Sequence, residues 1–149
     1  MDLKVFRVRE GAKLPVRAHE LDAGMDLFYC PDGATSINIP PGTSMVLSTG
    51  LKVAVPPNHM LEIKNKSGIA AKNQLLVGAC VVDSGYDGEI FVNLHNIGSE
   101  FKMIESGQKI AQAVLIPIMV PTITEIDEDN VYGSRTERGA GSLGSTGKF

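Results

Sequence analysis

Short apolar or alternating segments recur along the chain, and glycine, proline and polar residues separate them. In residues 51–55 (LKVAV) and 61–64 (LEIK), large apolar side chains occupy every second position, which is typical of half-buried antiparallel strands. The pattern therefore predicts strands rather than long helices. The predicted strands cover residues 3–8, 24–29, 36–39, 44–55, 60–64, 75–82, 89–96, 109–118 and 122–126.

One segment has a helical pattern instead. Residues 67–74 (SGIAAKNQ) begin with Ser67, a favoured N-cap residue, and carry two alanines in the first turns. One short helix in an otherwise all-β chain predicts a β-sandwich of the jelly-roll kind. A chain of 149 residues with 43% hydrophobic residues can bury one core, so residues 1–126 are predicted to form a single β domain.

The end of the chain has a different composition. From residue 127 to residue 149 large apolar residues nearly vanish, and glycines separate serines, threonines and arginines, which predicts a flexible arm. Residues 138–148 (RGAGSLGSTGK) combine cations, hydroxyls and small residues whose free amides can wrap a phosphate chain. The alternative is a frayed tail. The segment is not a P-loop, because position 142 is serine where that motif needs glycine.

Charge and cysteine usage narrow the function classes. The net charge of -3 and the sequence pI of about 5.6 give no electrostatic reason to bind nucleic acid or an anionic membrane. Cys30 and Cys80 lie in apolar runs, without a nearby cysteine or histidine at metal-ligand spacing, which indicates buried thiols in a reducing compartment. No stretch reaches the roughly 18 apolar residues of a membrane span. The expected location is the cytoplasm, or the cytoplasm of a host cell for a viral protein.

A turn rich in carboxylates and glycine is the strongest candidate for chemistry. In residues 81–90 (VVDSGYDGEI) it lies between two apolar strands, with Asp83 at the end of the first strand. A carboxylate held there beside apolar side chains suits a general base, and Tyr86 offers a flat ring close by in the same hairpin. The alternatives are an aspartate that only begins a β-turn and a tyrosine that only packs.

Five segments resemble, in order, the five motifs of the trimeric dUTPases. They are residues 23–27 (AGMDL), 66–70 (KSGIA), 82–88 (VDSGYDG), 107–112 (GQKIAQ) and 138–147 (RGAGSLGSTG). The resemblance implies a jelly-roll subunit in a homotrimer whose active sites each combine more than one chain. It also implies that water attacks the α-phosphorus of dUTP, assisted by Mg²⁺, to give dUMP and pyrophosphate. This reaction removes dUTP from the DNA precursor pool and supplies dUMP for thymidylate synthesis.

The resemblance also assigns the residues around the nucleoside. Asp83 would orient and deprotonate the attacking water and hydrogen-bond the sugar 3′-hydroxyl. Tyr86 would stack under the deoxyribose and leave no volume for a 2′-hydroxyl, which excludes ribonucleotides. Backbone groups of a strand with small residues would read the uracil. The residues assigned there are Val77, Gly78, Val81 and Val82.

A second group of residues is assigned to the triphosphate. Lys66, Ser67 and Gly68 would hold phosphate oxygens at the helix start, while Gln112 would help to position the water. The arm would close over the phosphates. The residues assigned in the arm are Arg138, Leu143, Gly144, Ser145 and Thr146. Asp26 is the expected carboxylate near magnesium, acting through coordinated water. Taken alone, a strand glutamine usually faces solvent and an isolated aspartate usually lies in a surface turn.

Three positions depart from the family pattern. Lys66 stands where arginine is usual, Asn65 where proline is usual, and Leu143 where an aromatic ring usually stacks on uracil, which predicts a weaker lid. The nearest rival is a dCTP deaminase or a bifunctional relative, but those enzymes carry a catalytic glutamate where this chain has Asn93. The other rival is an inactive nucleotide-binding regulatory protein of the same fold. The presence of all the candidate catalytic residues argues against it.

Overall fold

A computed structural model describes residues 1–33, 35–143 and 145–147, and within them eleven strands and one α-helix follow one another. The strands are β1 (Lys4–Arg7), β2 (Met25–Phe28), β3 (Ser36–Ile39), β4 (Ser44–Ser48), β5 (Leu51–Ala54), β6 (His59–Lys64), β7 (Leu75–Val77), β8 (Val81–Asp83), β9 (Phe91–Asn96), β10 (Lys102–Glu105) and β11 (Lys109–Pro117). The helix α1 (Ser67–Asn73) lies between β6 and β7, and a single 3-10 turn forms at Glu128–Asn130.

The strands pair antiparallel in two larger sheets and two small ones. The larger sheets have the strand orders β2-β11-β6-β8 and β4-β9-β7, and the small ones are β1-β5 and β3-β10. Leu27 and Leu61 from the first sheet and Leu47 and Leu94 from the second belong to one buried cluster. The alternating apolar positions of both sheets therefore share one core, and this confirms the predicted all-β, jelly-roll-like sandwich.

The predicted strand over residues 75–82 is two strands in the structure. Its first part, β7, pairs with β9, and its second part, β8, pairs with β6 in the other large sheet. The chain crosses from one sheet to the other at Gly78, where the backbone packs so closely against Asn93 and His95 that a Cβ would overlap both side chains. An unbroken apolar run does not reveal such a crossing, because both halves satisfy the same pattern.

Two other strand predictions need correction inside the sandwich. The predicted strand over residues 44–55 divides into β4 and β5 at a turn, where Gly50 has a φ of 71°. The strand β10 was not predicted. Its sequence, KMIE, is too short and too mixed to show a clear alternation, and only its pairing with β3 marks it as a strand.

The predictions at the helix start and after β11 were wrong. Lys66, not Ser67, is the N-cap residue of α1, with φ −91° and ψ 130°, and Ser67 is the first helical residue. Residues 122–126 form no strand in the structure. A strand needs a hydrogen-bonded neighbour, and the apolar Ile123 is 94% exposed.

Contacts divide the chain into two compact units, Met1–Met119 and Val120–Phe149. The first unit holds all eleven strands and α1, and the second contains the 3-10 turn and a succession of bends. Among the helices of the described ranges, none combines the length and the apolar content that a membrane crossing requires.

Candidate functional site

Asp83 and Tyr86 line the same small cavity. Asp83 is the last residue of β8, opposite Met60 of β6, and the turn that follows brings Tyr86 to the same side. The cavity has a volume of about 200 Å³. Its lining residues are Ile63, Ala79, Cys80, Val81, Val82, Asp83, Tyr86, Glu89, Ile90 and Phe91. The walls are mainly apolar, while the Asp83 carboxylate is exposed and free to contact water or a ligand.

Hydrogen bonds fix the turn between Asp83 and the next strand. The Tyr86 N–H donates to the Asp83 carbonyl at 3.3 Å, and the Ser84 hydroxyl donates to the Val55 carbonyl at 3.1 Å. Gly85, with a φ of 90°, supplies the left-handed backbone that the turn needs. Tyr86 is 47% exposed, so part of the residue remains accessible.

Of the four residues predicted to read uracil, two lie in this cavity and two do not. Val81 and Val82 line it, whereas Val77 and Gly78 line a separate cavity of about 290 Å³. The Val77 N–H already donates to Asn65 Oδ1 at 2.7 Å, and the Gly78 N–H donates to the Asn93 carbonyl at 2.9 Å. Both amide donors are therefore engaged within the chain.

The predicted phosphate residues of the first unit meet in a third cavity, of about 350 Å³. Its lining residues are Lys66, Ser67, Gly68, Ile69, Gln108, Lys109 and Gln112. The strand β11 carries Lys109 and Gln112, and the turn before α1 carries Lys66. The cavity therefore combines two ammonium groups with hydroxyl and amide groups, the donors that bind phosphate oxygens.

Asp26 lies beside this cavity and forms ion pairs with both lysines. Its side chain is 5% exposed, and it forms ion pairs with Lys66 and with Lys109, whose Nζ is 2.7 Å from Asp26 Oδ2. Burial tends to raise the pKa of the Asp26 carboxyl, but the two ammonium groups outweigh burial and lower that pKa. Asp26 is therefore a buried carboxylate, not the surface turn residue that an isolated aspartate would suggest.

Lys109 lines this cavity too, although no role was predicted for it from the sequence. The signal that could have identified it is its position in the motif GQKIAQ, three residues before Gln112. In the structure it supplies the second cation of the cavity lined by Lys66. Gln112 is half-buried, and its Nε2 donates to the Asn65 carbonyl at 2.8 Å, so it is not the solvent-facing glutamine of the alternative interpretation.

The donor set around Asp26 limits how magnesium could bind. Among the described residues, no group of three or more histidine, cysteine, aspartate or glutamate side chains is arranged to hold a metal ion. Asp26 Oδ2 is buried, and its ion pair with Lys109 lacks the direction of a hydrogen bond. One carboxylate does not make a magnesium site by itself, but it fits an ion whose other ligands are phosphate oxygens and water.

The second compact unit contains the remaining predicted residues. Arg138 Nε donates to the Gly141 carbonyl at 3.1 Å, and the Ser145 N–H donates to the Ser142 carbonyl at 3.0 Å. Leu143 and Thr146 are exposed, and Gly144 lies outside the described residues. The predicted roles of Arg138, Leu143, Ser145 and Thr146 in closing over a phosphate chain stay predictions.

Comparisons with known proteins agree on one family. The family model described as dUTPase matches residues 10–147. A deoxyuridine 5′-triphosphate nucleotidohydrolase of Gloeothece citriformis is 40% identical over 99% of this chain and 97% of that protein. One of the same name from Clostridium tetani is 40% identical over 98% of this chain and 97% of that protein.

Solved structures of phage dUTPases are similar to this chain. A mutant dUTPase of Staphylococcus bacteriophage 80alpha with dUpNHpp is 26% identical, has a TM-score of 0.87 and covers 99% of both chains. A mutant dUTPase from phage phi11 of S. aureus, described for its coordination of a structural Mg(II) ion, is 25% identical and has a TM-score of 0.76. That match covers 86% of this chain and 98% of the phage protein.

Proposed function

The chain belongs to the dUTPase family and hydrolyses dUTP, and we propose that Asp83 is its general base. We also propose that the nucleoside of the substrate binds in the cavity lined by Asp83 and its triphosphate in the cavity lined by Lys66. The observation that carries the proposal is the complementary lining of the two cavities. The Asp83 cavity is mainly apolar with one exposed carboxylate, whereas the Lys66 cavity carries two ammonium groups. The first suits a deoxyuridine and the second suits a triphosphate.

In the proposed reaction the exposed Asp83 carboxylate takes a proton from water. The water oxygen bonds to the α-phosphorus, the bond from that phosphorus to the α–β bridging oxygen breaks, and pyrophosphate leaves with the electron pair. The products are dUMP and pyrophosphate. The Tyr86 ring, which lines the same cavity, lies against the deoxyribose and leaves no room for a 2′-hydroxyl. Val81 and Val82 form the wall beside the base.

The triphosphate is assigned to the Lys66 cavity. Lys66 and Lys109 supply two positive charges there, and Ser67, Gly68 and Gln112 supply neutral hydrogen-bonding groups. Such preorganised donors stabilise the negative charge that moves to the leaving pyrophosphate. In the arm, Arg138 and its neighbours are proposed to close over the chain of phosphates and exclude bulk water.

Magnesium, when bound to the triphosphate, would neutralise phosphate charge and fix the conformation of the phosphate chain. Asp26 is the residue proposed to hold it, through coordinated water. Lys66 and Lys109 already form ion pairs with this carboxylate. We therefore expect phosphate oxygens, and not protein side chains, to be the ligands that contact the ion directly.

A homotrimer with shared active sites is also proposed. The Asp83 cavity and the Lys66 cavity, as described, have no lining residue in common, so a site that uses both is readily built from two copies. Apolar side chains after β11 also favour association. Met119 is 91% exposed and Ile123 is 94% exposed, and an extended apolar segment of this kind can pair with another copy.

The assay that tests the proposed chemistry measures pyrophosphate release from dUTP, dTTP, dCTP and UTP. The wild-type protein should act on dUTP far better than on the other three, and release of ammonia from dCTP would instead favour the deaminase alternative. Asp83→Asn should keep dUTP binding and lose turnover by about 10²- to 10⁴-fold. Unchanged turnover would remove Asp83 from the mechanism.

Complementation tests the sharing of sites between copies. Trimers of Asp83→Asn should be nearly inactive, and trimers of Gln112→Ala should keep no more than about a tenth of wild-type turnover. After the two variants are unfolded and refolded together, about a quarter of the sites would combine an intact Asp83 with an intact Gln112 from another copy. The mixture should therefore be more active than the mean of the two variants refolded separately. A mixture that does not exceed that mean would show that both residues come from one chain.

A further inference from the structure

We propose that Gly88, Glu89 and Arg9 position the ring of Tyr86 and thereby set the discrimination against ribonucleotides. The inference rests on the proposed function, in which Tyr86 lies against the deoxyribose. It concerns residues outside the phosphate cavity and adds three positioning residues to the site. None of them needs to touch the substrate.

The first observation is that both ends of Tyr86 are tied to the backbone. Its hydroxyl donates a hydrogen bond to the Glu89 carbonyl at 3.0 Å, and its N–H donates to the Asp83 carbonyl at 3.3 Å. An exposed tyrosine ring on a turn would otherwise change rotamer freely. The hydrogen bond of the hydroxyl therefore selects one position of the ring from those the turn allows.

The second observation is that Gly88 provides the space for this position. A Cβ on Gly88 would overlap the hydroxyl and Cζ of Tyr86 and would lie 2.8 Å from Cε2. Gly88 is not in the left-handed region of φ, so a left-handed backbone is not the reason for a glycine at this position. What excludes a side chain at Gly88 is the tyrosine ring itself.

The third observation is that the acceptor of the tyrosine hydroxyl is itself held in place. Nη1 and Nη2 of Arg9 each donate to one oxygen of the Glu89 carboxylate at 2.6 Å, and the Gly50 N–H donates to Glu89 Oε1 at 2.7 Å. Arg9 also donates to the Cys30 carbonyl at 2.9 Å. This bidentate pair joins residues 80 positions apart, and the Glu89 side chain is only 14% exposed.

These contacts link ring position to substrate choice. Exclusion of a 2′-hydroxyl is steric, so it is only as strong as the resistance of the ring to moving aside. A ring that loses its anchor or its space should admit UTP while still accepting dUTP. A change in selectivity, rather than a general loss of activity, is therefore the signature of a positioning role.

The test measures kcat/KM for dUTP and for UTP in four variants. Gly88→Ala removes the space for the ring, Tyr86→Phe removes the anchoring hydroxyl, and Glu89→Gln weakens the charge-assisted link to Arg9. Each should lower the ratio of dUTP to UTP activity by about tenfold. The matched control is Asp87→Asn, in the same turn as Tyr86. It removes the carboxylate of an exposed ion pair with Lys52 and should keep the wild-type ratio.

A fifth variant, Tyr86→Ala, distinguishes failure of the proposed contact between Tyr86 and the sugar from failure of the positioning inference. If Tyr86→Ala leaves the ratio unchanged, the proposed contact between Tyr86 and the sugar is wrong. If Tyr86→Ala changes the ratio but Gly88→Ala, Tyr86→Phe and Glu89→Gln behave like Asp87→Asn, the positioning inference is overturned. Equal losses on dUTP and UTP in those three variants would overturn it too, because they would indicate a purely structural role. Tyr86→Phe keeps the exposed ring and removes one oxygen, so it remains informative even if Glu89→Gln folds poorly.

Discussion

The side chain of Gln112 lies directly against the backbone of Gly24. A Cβ on Gly24 would overlap Gln112 Oε1 and would stand 2.6 Å from its Cδ, closer than real Cβ contacts come. On its other side Gln112 donates from Nε2 to the Asn65 carbonyl. The glutamine amide is thus confined between two backbone segments, one before β2 and one before α1.

Gly24→Ala should therefore impair the enzyme through Gln112. The methyl group would overlap the Gln112 amide and displace it from its present position, so we expect a loss of kcat close to that of Gln112→Ala, about 10- to 100-fold. The double variant should lose little more than either single variant, since both act on one side chain. Ala23→Ser, at an exposed neighbouring position, serves as the control. Additive losses in the double variant would contradict the link.

Asp26→Asn should destabilise the protein. The substitution leaves the Lys66 and Lys109 ammonium groups close together with their shared counter-charge removed. Because both lysines are partly exposed, we expect a loss of about 1–3 kcal/mol in the free energy of unfolding. Urea unfolding at neutral pH measures it, and Asp32→Asn, at an exposed position, should stay within about 0.5 kcal/mol of wild type. Equal stability of the two variants would show that the ion pairs contribute nothing.

Stability should decrease on the acid side. Burial tends to raise the pKa of the Glu89 carboxyl, but hydrogen bonds from Arg9 and from the Gly50 N–H outweigh it and lower the pKa below its ordinary value of 4.5. The pKa of Asp26 is likewise lowered, from an ordinary 3.8. A carboxyl with a lowered folded pKa stabilises the fold above its ordinary pKa, and this contribution is lost as the pH falls through the folded pKa.

The measurement is the free energy of unfolding from pH 7 to pH 3. It should be nearly constant down to about pH 5 and fall below about pH 4.5. The stability difference between wild type and Glu89→Gln should narrow over that acid range, because the wild-type carboxylate is neutralised there. A difference that stays constant to pH 3 would contradict the lowered pKa of Glu89.

Leu143→Phe should strengthen the proposed lid. Leu143 is fully exposed, so the change should not alter the melting temperature. An aromatic ring that stacks on the uracil would contribute about 1 kcal/mol and lower KM for dUTP roughly fivefold. Leu143→Met, which keeps an apolar side chain of similar size without a ring, is the matched control and should keep the wild-type KM. If both variants match wild type, residue 143 does not stack on the base.

Removal of the arm tests its part in catalysis. A chain truncated before Arg138 keeps the whole of the first compact unit, Met1–Met119, and should fold and melt like the full chain. It should hydrolyse dUTP poorly, because the phosphates lose their proposed cover. The readouts are pyrophosphate release and the melting temperature. A truncated protein with full activity would mean that the segment is a frayed tail.

The sequence predicted the strands that depend on local alternation. The strand β3 lies at its predicted bounds, Ser36–Ile39, while β2 is one residue shorter than predicted at each end and β11 is one residue shorter at its C-terminal end. Asp83 also ends its strand as predicted, because an apolar run that stops at an aspartate is a local signal. The five motifs allowed the family to be recognised from the sequence, because each of them is a short run of consecutive residues.

Short runs of residues were enough to predict the class of fold, the family and the candidate site residues. Which of those residues lie next to each other depends on how the strands pack. In the structure, Lys109 and Lys66 both form ion pairs with Asp26, and Gln112 packs against Gly24. Arg9 pairs with Glu89, which is 80 positions away in the chain. The tertiary structure also separated Val77 and Gly78 from the Asp83 cavity by moving the chain from one sheet to another. The physical reason is that strand alternation arises between neighbours in sequence, whereas ion pairs, close backbone contacts and sheet crossings depend on how distant segments pack.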